Sequence, residues 1–229
     1  MLLGAPVAAL RSWEAEAGPV ADLTAVMGRL ARVEQVADGI TGQLIADAAK
    51  TGRIVTFRTD AAAAGAGAAM GVAALHRICA GRAWEEHREA QLVFHELGER
   101  TGDRGVDRRA ELMVRLTLLA LTRADITERL GVERRRVTGW IRGDMPIPPG
   151  VFEDLDALEN AADCHTESLE EAATTGRVDV AATVQDLVAT YAGAQEVPLS
   201  THWAAAGVLL ADDDRLRARW ITPPAQGDR

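Results

Sequence analysis

Lysine is almost missing from this chain: of 25 basic residues only Lys50 is not arginine, a bias that fits a GC-rich genome better than any chemistry. Cysteine is nearly as scarce. Cys79 and Cys164 stand alone, which excludes a disulfide framework and a CxxC metal site. Aromatic residues make up 4% of the chain, so its core must be built from aliphatic side chains and alanine. No apolar run approaches the length of a membrane span. The opening "MLLGAPVAALRSWE" has no basic stretch ahead of its apolar residues, so no secretory signal is expected. Together these point to the cytoplasm. Chemistry is sparse as well. No nucleophile lies beside a base, and no pair of carboxylates is set for acid–base work. His87 and His95 stand too far apart for an i, i+4 metal pair, even with His76 and Cys79 nearby. Neither an enzyme, a metal nor a cofactor is expected.

Alanine is what the chain has in quantity, and alanine has the best helix propensity. The expected fold class is all-α: several helices, with a central pair flanked by helical N- and C-terminal regions. A length of 229 residues allows one to three domains. The polar, glycine-containing stretch "GERTGDRGVD" at 98–107 is the best boundary. We expect a helical region over 1–105 that serves as a dimer arm, sensor or second binding unit, a binding domain over 106–162, and an acidic helical region over 163–229 for dimerisation or partner binding.

Charge is distributed unevenly along these segments. Counted over the sequence, residues 1–106 carry −2, residues 107–145 carry +3 and residues 146–229 carry −10, within a total of −9. Only the middle is positive, and it is the local field that matters at a contact surface.

The first region reads as helix from Leu23, with Val26, Leu30, Val33, Ala37, Ile40 and Leu44 forming one apolar seam. The preferred reading is a face packed inside its own domain; a dimerising helix is the alternative. Ile54 to Phe57 have the character of a short strand, followed by Gly65, Gly67 and Gly71. A dinucleotide fingerprint needs strand–helix repeats and a later acidic residue, which are missing, so a small-residue helix in close packing is preferred. Trp84 to Glu99 reads as another amphipathic helix. In the last third, "VDVAATVQDLVATY" and "STHWAAAGVLLADDDRLRARW" read as two more helices, and "PPAQGDR" as a loose tail.

The middle segment, "LTRADITERLGVERRRVTGWIRG", carries the chemistry. Thr122 stands where an N-cap belongs, with Asp125 three residues on. A helix from Arg123 to Leu130 places Ile126 and Leu130 inward, and Gly131 provides the turn. A second helix from Glu133 to Arg142 buries Val137 and Ile141, with Trp140 at the border; Gly143 and the following prolines end it. With those positions inward, Arg134, Arg135, Arg136, Thr138 and Gly139 are expected to face out. Three arginines in a first helical turn oppose the helix dipole, and no packing repays the cost. Phosphates and guanine edges account for them.

The segment resembles the Cro/cI-type, or Xre-like, helix-turn-helix DNA-binding family over about residues 112–149. The resemblance rests on the L-G-V turn and the following V-x-x-W helix that ends in R-G. It implies that the second helix reads double-stranded DNA in the major groove, with Arg134, Arg135 and Thr138 on the base-reading face. Arg123, Arg136 and Arg142 would lie near phosphates, and Gly139 would permit close backbone approach. Glu133 stands where the family has serine or threonine, and Thr127 where it has a small residue. The implied protein is a sequence-specific transcriptional regulator, a repressor by preference, acting as a homodimer and associated with the nucleoid. The alternative is an antitoxin-like interaction protein whose acidic C-terminal region holds a protein partner.

Overall fold

The computed structural model describes residues 23–95, 108–173, 176–213 and 215–221. The expected boundary at 98–107 and the C-terminal tail lie outside them, as does the side chain of Val26. Two compact units divide between Ala110 and Glu111.

In the first unit, helix α1 (Leu23–Thr51) leads through Gly52 into strand β1 (Arg53–Thr56). Helix α2 (Asp60–Gly65), a 3₁₀ turn at Ala69–Gly71 and helix α3 (Ala73–Glu86) follow, and strand β2 (Gln91–Phe94) pairs in parallel with β1. Ala37, Leu44 and Ala48 of α1 are buried, as are Cys79, Ala80 and Ala83 of α3. These small residues let the two helices pack closely, with the Cys79 thiol donating to the Ala37 carbonyl at 3.5 Å. Of the expected seam on α1, Ala37 and Leu44 are buried, while Leu30, Val33 and Ile40 are half-buried.

In the second unit, α4 (Arg109–Leu118), α5 (Arg123–Arg129) and α6 (Arg134–Arg142) precede the long α7 (Gly150–Ala172). Strand β3 (Arg177–Ala181), α8 (Val184–Thr190), a 3₁₀ turn at Ala194–Glu196, α9 (Leu199–Asp212) and β4 (Arg217–Ile221) complete it, with β4 parallel to β3. The chain is mostly helical, but two small parallel sheets correct the all-α expectation. Three stretches read as helix contain strands instead. The helix through Trp84 stops at Glu86, and Leu92 and Phe94 then alternate as the buried side of β2. Val178 and Val180 alternate around Asp179 in β3, and β-branched residues favour that pleat. The long C-terminal helix ends at Asp212, and Arg217–Ile221 pairs with β3. The expected boundary at 162 falls inside α7, which runs through it without a break.

The two units share one construction. In each, a left-handed glycine that follows the long helix in the chain, Gly52 (φ +67°) or Gly176 (φ +76°), opens a strand. Each glycine's carbonyl accepts the amide that starts the second strand, from Gln91 in one unit and Arg217 in the other. Thr59 and Thr183 cap the short helix with nearly the same backbone angles, and both hydroxyls accept an amide three residues on. A second left-handed glycine, Gly67 or Gly193, precedes the next alanine, and the following helix has 14 residues in both. His76 and His202 occupy the same turn of that helix. The residue after each histidine donates to the carbonyl at the end of the first strand: Arg77 to Phe57 at 3.0 Å, Trp203 to Ala181 at 2.8 Å. The helix–strand–helix–helix–strand unit is thus present twice, on either side of α4–α6.

Candidate nucleic-acid interface

Helix α4 presents Leu112, Leu116 and Leu119 to a core shared with Ile126, Val137, Trp140, Val151, Phe152 and Leu155. Past the helix end, the chain turns at Ala120, whose φ of +52° is unusual for alanine. There the Leu121 amide reaches back to the Leu116 carbonyl and the Ala120 amide to that of Thr117, a left-handed closure that glycine normally serves.

Thr122 then caps α5. Its hydroxyl accepts from the Asp125 amide at 3.2 Å, while the Asp125 carboxylate accepts from the Thr122 amide at 2.7 Å. Both halves of the expected capping box are formed. Gly131, at φ +60°, makes the turn between α5 and α6. Val137 and Trp140 drop from α6 into the core, with Ile141 half-buried beside them. Trp140 is fully buried rather than at the border.

This leaves Arg134, Arg135 and Arg136 exposed on the first turn of α6. Among the described residues no ion pair and no hydrogen bond engages the guanidinium group of any of the three. Three cations at the positive end of a helix oppose its dipole, each by roughly 0.3–1 kcal/mol. Glu133 sits at the N-cap, exposed, with no side-chain capping bond to the helix. Thr138 is half-buried, and its hydroxyl donates to the Arg134 carbonyl at 2.9 Å, so the helix itself uses that proton. Arg142 is exposed in the last turn, where the dipole favours it. Arg123 opens α5; its side chain lies outside the described residues.

Gly139 corrects the expected outward face. It is buried, and a Cβ there would lie 2.9 Å from the Met145 thioether. The chain reverses at Gly143 (φ +82°), and the amides of Gly143, Asp144 and Met145 converge on the Gly139 carbonyl. The glycine makes room for the chain's own return, not for a DNA strand.

Sequence reasoning missed two features that hold this surface. Arg115, only 2% exposed, lies between α4 and α7 and forms two bonds with the Glu159 carboxylate, at 2.7 and 2.9 Å. Asp156 and Glu111 complete its shell. Burial works against its charge, but the surrounding carboxylates outweigh it and raise its pKa above the usual arginine value. The signal was present: an arginine inside the apolar series Leu112, Leu116, Leu119, and two acids three apart on the helix that packs there. The second feature is a pair of ties to the C-terminal repeat. The buried Thr201 hydroxyl donates to the Leu119 carbonyl, and Arg129 donates to the Gln195 carbonyl at 3.2 Å from both terminal nitrogens. The helix pair and the second repeat are therefore built as one body. No helix among the described residues is long and apolar enough to cross a membrane. No family model, curated protein or solved structure matches this chain.

Proposed function

We propose that the chain is a sequence-specific DNA-binding regulator that reads the major groove with α6. The observation that carries this is the row Arg134–Arg136: exposed, engaged by no carboxylate among the described residues, and held on a helix whose inner face is fixed by Val137 and Trp140. Guanidinium groups bond phosphate and pair bidentately with guanine. Arg134 and Arg135 are assigned to base edges, and Arg136 with Arg142 to phosphates. The surplus of acidic residues after Pro146 keeps the rest of the unit off the duplex. Repression, by occupancy of the bound site, follows as the simplest regulatory outcome.

The test is selection of genomic fragments by the full-length protein, followed by binding isotherms at two salt concentrations. Affinity should fall with salt at a slope near 0.9 per phosphate contacted. Arg134→Ala or Arg135→Ala should each remove about 1–3 kcal/mol of discrimination between the selected site and random DNA. Arg136→Ala should weaken both sequences equally and lower the salt slope by about 1. Equal binding of selected and random DNA, unaltered by any of the three, overturns the assignment.

A further inference from the structure

The duplicated unit supplies an internal control. Because the same backbone is built twice, a property found in one copy and absent from the other is not required by the fold. The second copy differs from the first on its solvent side. From Leu199 to Ala211 helix α9 carries no charged residue. Its exposed arc runs from Trp203 through Gly207 and Ala211 to Val208, one continuous side of the helix at 100° per residue. Trp203 is 46% exposed and Val208 48%. Next to Trp203, whose indole bonds the Ala181 carbonyl, α8 begins with Val184 (56% exposed), and one turn later stands Val188. The residues at the matching places in the first copy are Asp60 for Val184, Arg77 for Trp203, Arg82 for Val208 and Glu85 for Ala211. Four positions that hold ions in one copy hold apolar side chains in the other.

A face of this kind in a segment carrying −10 calls for an occupant. Depletion of charge around an exposed tryptophan is the compositional mark of an interface centre, not of ordinary surface. The occupant is constrained by electrostatics. A cationic partner would favour α7, where Glu153, Asp154, Asp163, Glu167, Glu170 and Glu171 lie exposed. A face without charge gains nothing from such a partner. Set against itself across a two-fold axis it brings no like charges together, and the acidic residues remain at the rim. The area sets the strength of the contact. A half-exposed tryptophan offers about 100 Å² of the 150–250 Å² it can bury. Together with the three valines and the exposed Ala182, Gln185, Ala189, Gly207 and Ala211, the face stays below the roughly 800 Å² per partner of a standard interface, in the range of weak self-association at micromolar concentration.

We propose that the uncharged face of α8 and α9 is where a second copy of this chain docks, making a two-fold homodimer through the second repeat. The proposal stands apart from the DNA reading: it concerns a different surface and predicts dimers in the absence of DNA. The first repeat provides the test substitutions. Val184→Asp, Trp203→Arg and Val208→Arg place in the second copy the side chains that the first already carries, and an arginine at 203 retains a donor for the Ala181 carbonyl.

The full-length wild type and the triple variant are compared by sedimentation velocity without DNA, with circular dichroism as the check on folding. The expected result is a wild-type dimer at micromolar concentration and a monomer for the variant, its dissociation constant raised at least 100-fold. As a second measurement, Val208→Arg alone, at a half-exposed position on the face, should raise the dissociation constant at least 10-fold, which reads the interface even if the triple variant misfolds. A monomeric wild type, whose face then serves another protein or none, overturns the proposal. So does a folded triple variant that stays dimeric, or a Val208→Arg variant that dimerises as tightly as the wild type. Loss of selective DNA binding with intact dimers would instead count against the reading role of α6.

Discussion

Acidification should loosen the second repeat well above the pH at which its carboxylates titrate. His202 is fully buried, and its Nε2 accepts the Ala181 amide at 2.8 Å. That nitrogen therefore carries no hydrogen. The ring's proton sits on Nδ1 and is given to Nε2 of the buried His165, 2.9 Å away. The edge of Tyr191 packs on the His165 ring, and the Tyr191 hydroxyl donates to the Asp179 carbonyl. A further proton on His202 would break the Ala181 bond, and one on His165 Nε2 would set two donors face to face. Burial accordingly pushes His202 down from 6.5 to about 4, with the neighbouring imidazole adding to the effect, and burial lowers His165 as well. In the unfolded chain both histidines accept a proton near pH 6.5, so between that value and 4 the unfolded state binds more protons. The stabilising contribution is complete above pH 6.5, declines as the pH falls and is lost by pH 4. At 1.36 kcal/mol per pH unit, His202 alone accounts for about 3 kcal/mol. Hydrogen exchange of the Ala181 amide, followed from pH 7.5 to 4.5 and corrected for intrinsic rates, measures this directly. Protection should fall by roughly two orders of magnitude across the window. His202→Asn should lower protection at neutral pH and flatten its pH dependence. Protection constant from 6.5 to 4.5, or equally steep in the variant, would refute the neutral-pair account.

Other perturbations follow from the helix pair and its supports. Arg115→Ala removes the cation that joins α4 to α7 and should cost about 2–4 kcal/mol in chemical denaturation, toward the lower end because Asp156 is solvated. Arg115→Met, which keeps the volume, should cost less. The turn residues should respond with opposite signs. Ala120→Gly relieves a left-handed alanine and should raise stability by about 1 kcal/mol, while Gly131→Ala should lower it by a similar amount. Thr122→Ala removes one half of the α5 cap and should lower the unfolding free energy by about 1 kcal/mol, read by chemical denaturation.

The helix pair was legible because its signals are local. Thr122 with Asp125, Gly131, the Val137 and Trp140 spacing and Gly143 each fix a few dihedrals without reference to distant residues. Of the strands, β1 was legible, because Ile54 to Phe57 already read as a short strand; the other three were not, for a definite reason. Each is four or five residues long and follows a helix, so an apolar period of two has no length in which to separate itself from 3.6. Gly139 was misjudged because its burial depends on Met145, which returns over it only after Gly143 has turned the chain. The duplication escaped notice because the copies retain little in common beyond the Thr-Gly-Arg before the strand, the capping threonine and the histidine. Packing in the two copies is otherwise met by different side chains, Ala63 in one and Leu187 in the other.

The unbroken run of α7 has a practical consequence for dissecting the molecule. A fragment cut after residue 162, where composition changes, would end in mid-helix, strip the Leu119 carbonyl of its Thr201 donor and leave Arg129 without the Gln195 carbonyl it grips. A piece that keeps these bonds together with the β3–β4 pair begins at the start of α4 and ends no earlier than Ile221, and trimming experiments should respect that limit before any loss of binding is blamed on missing contacts.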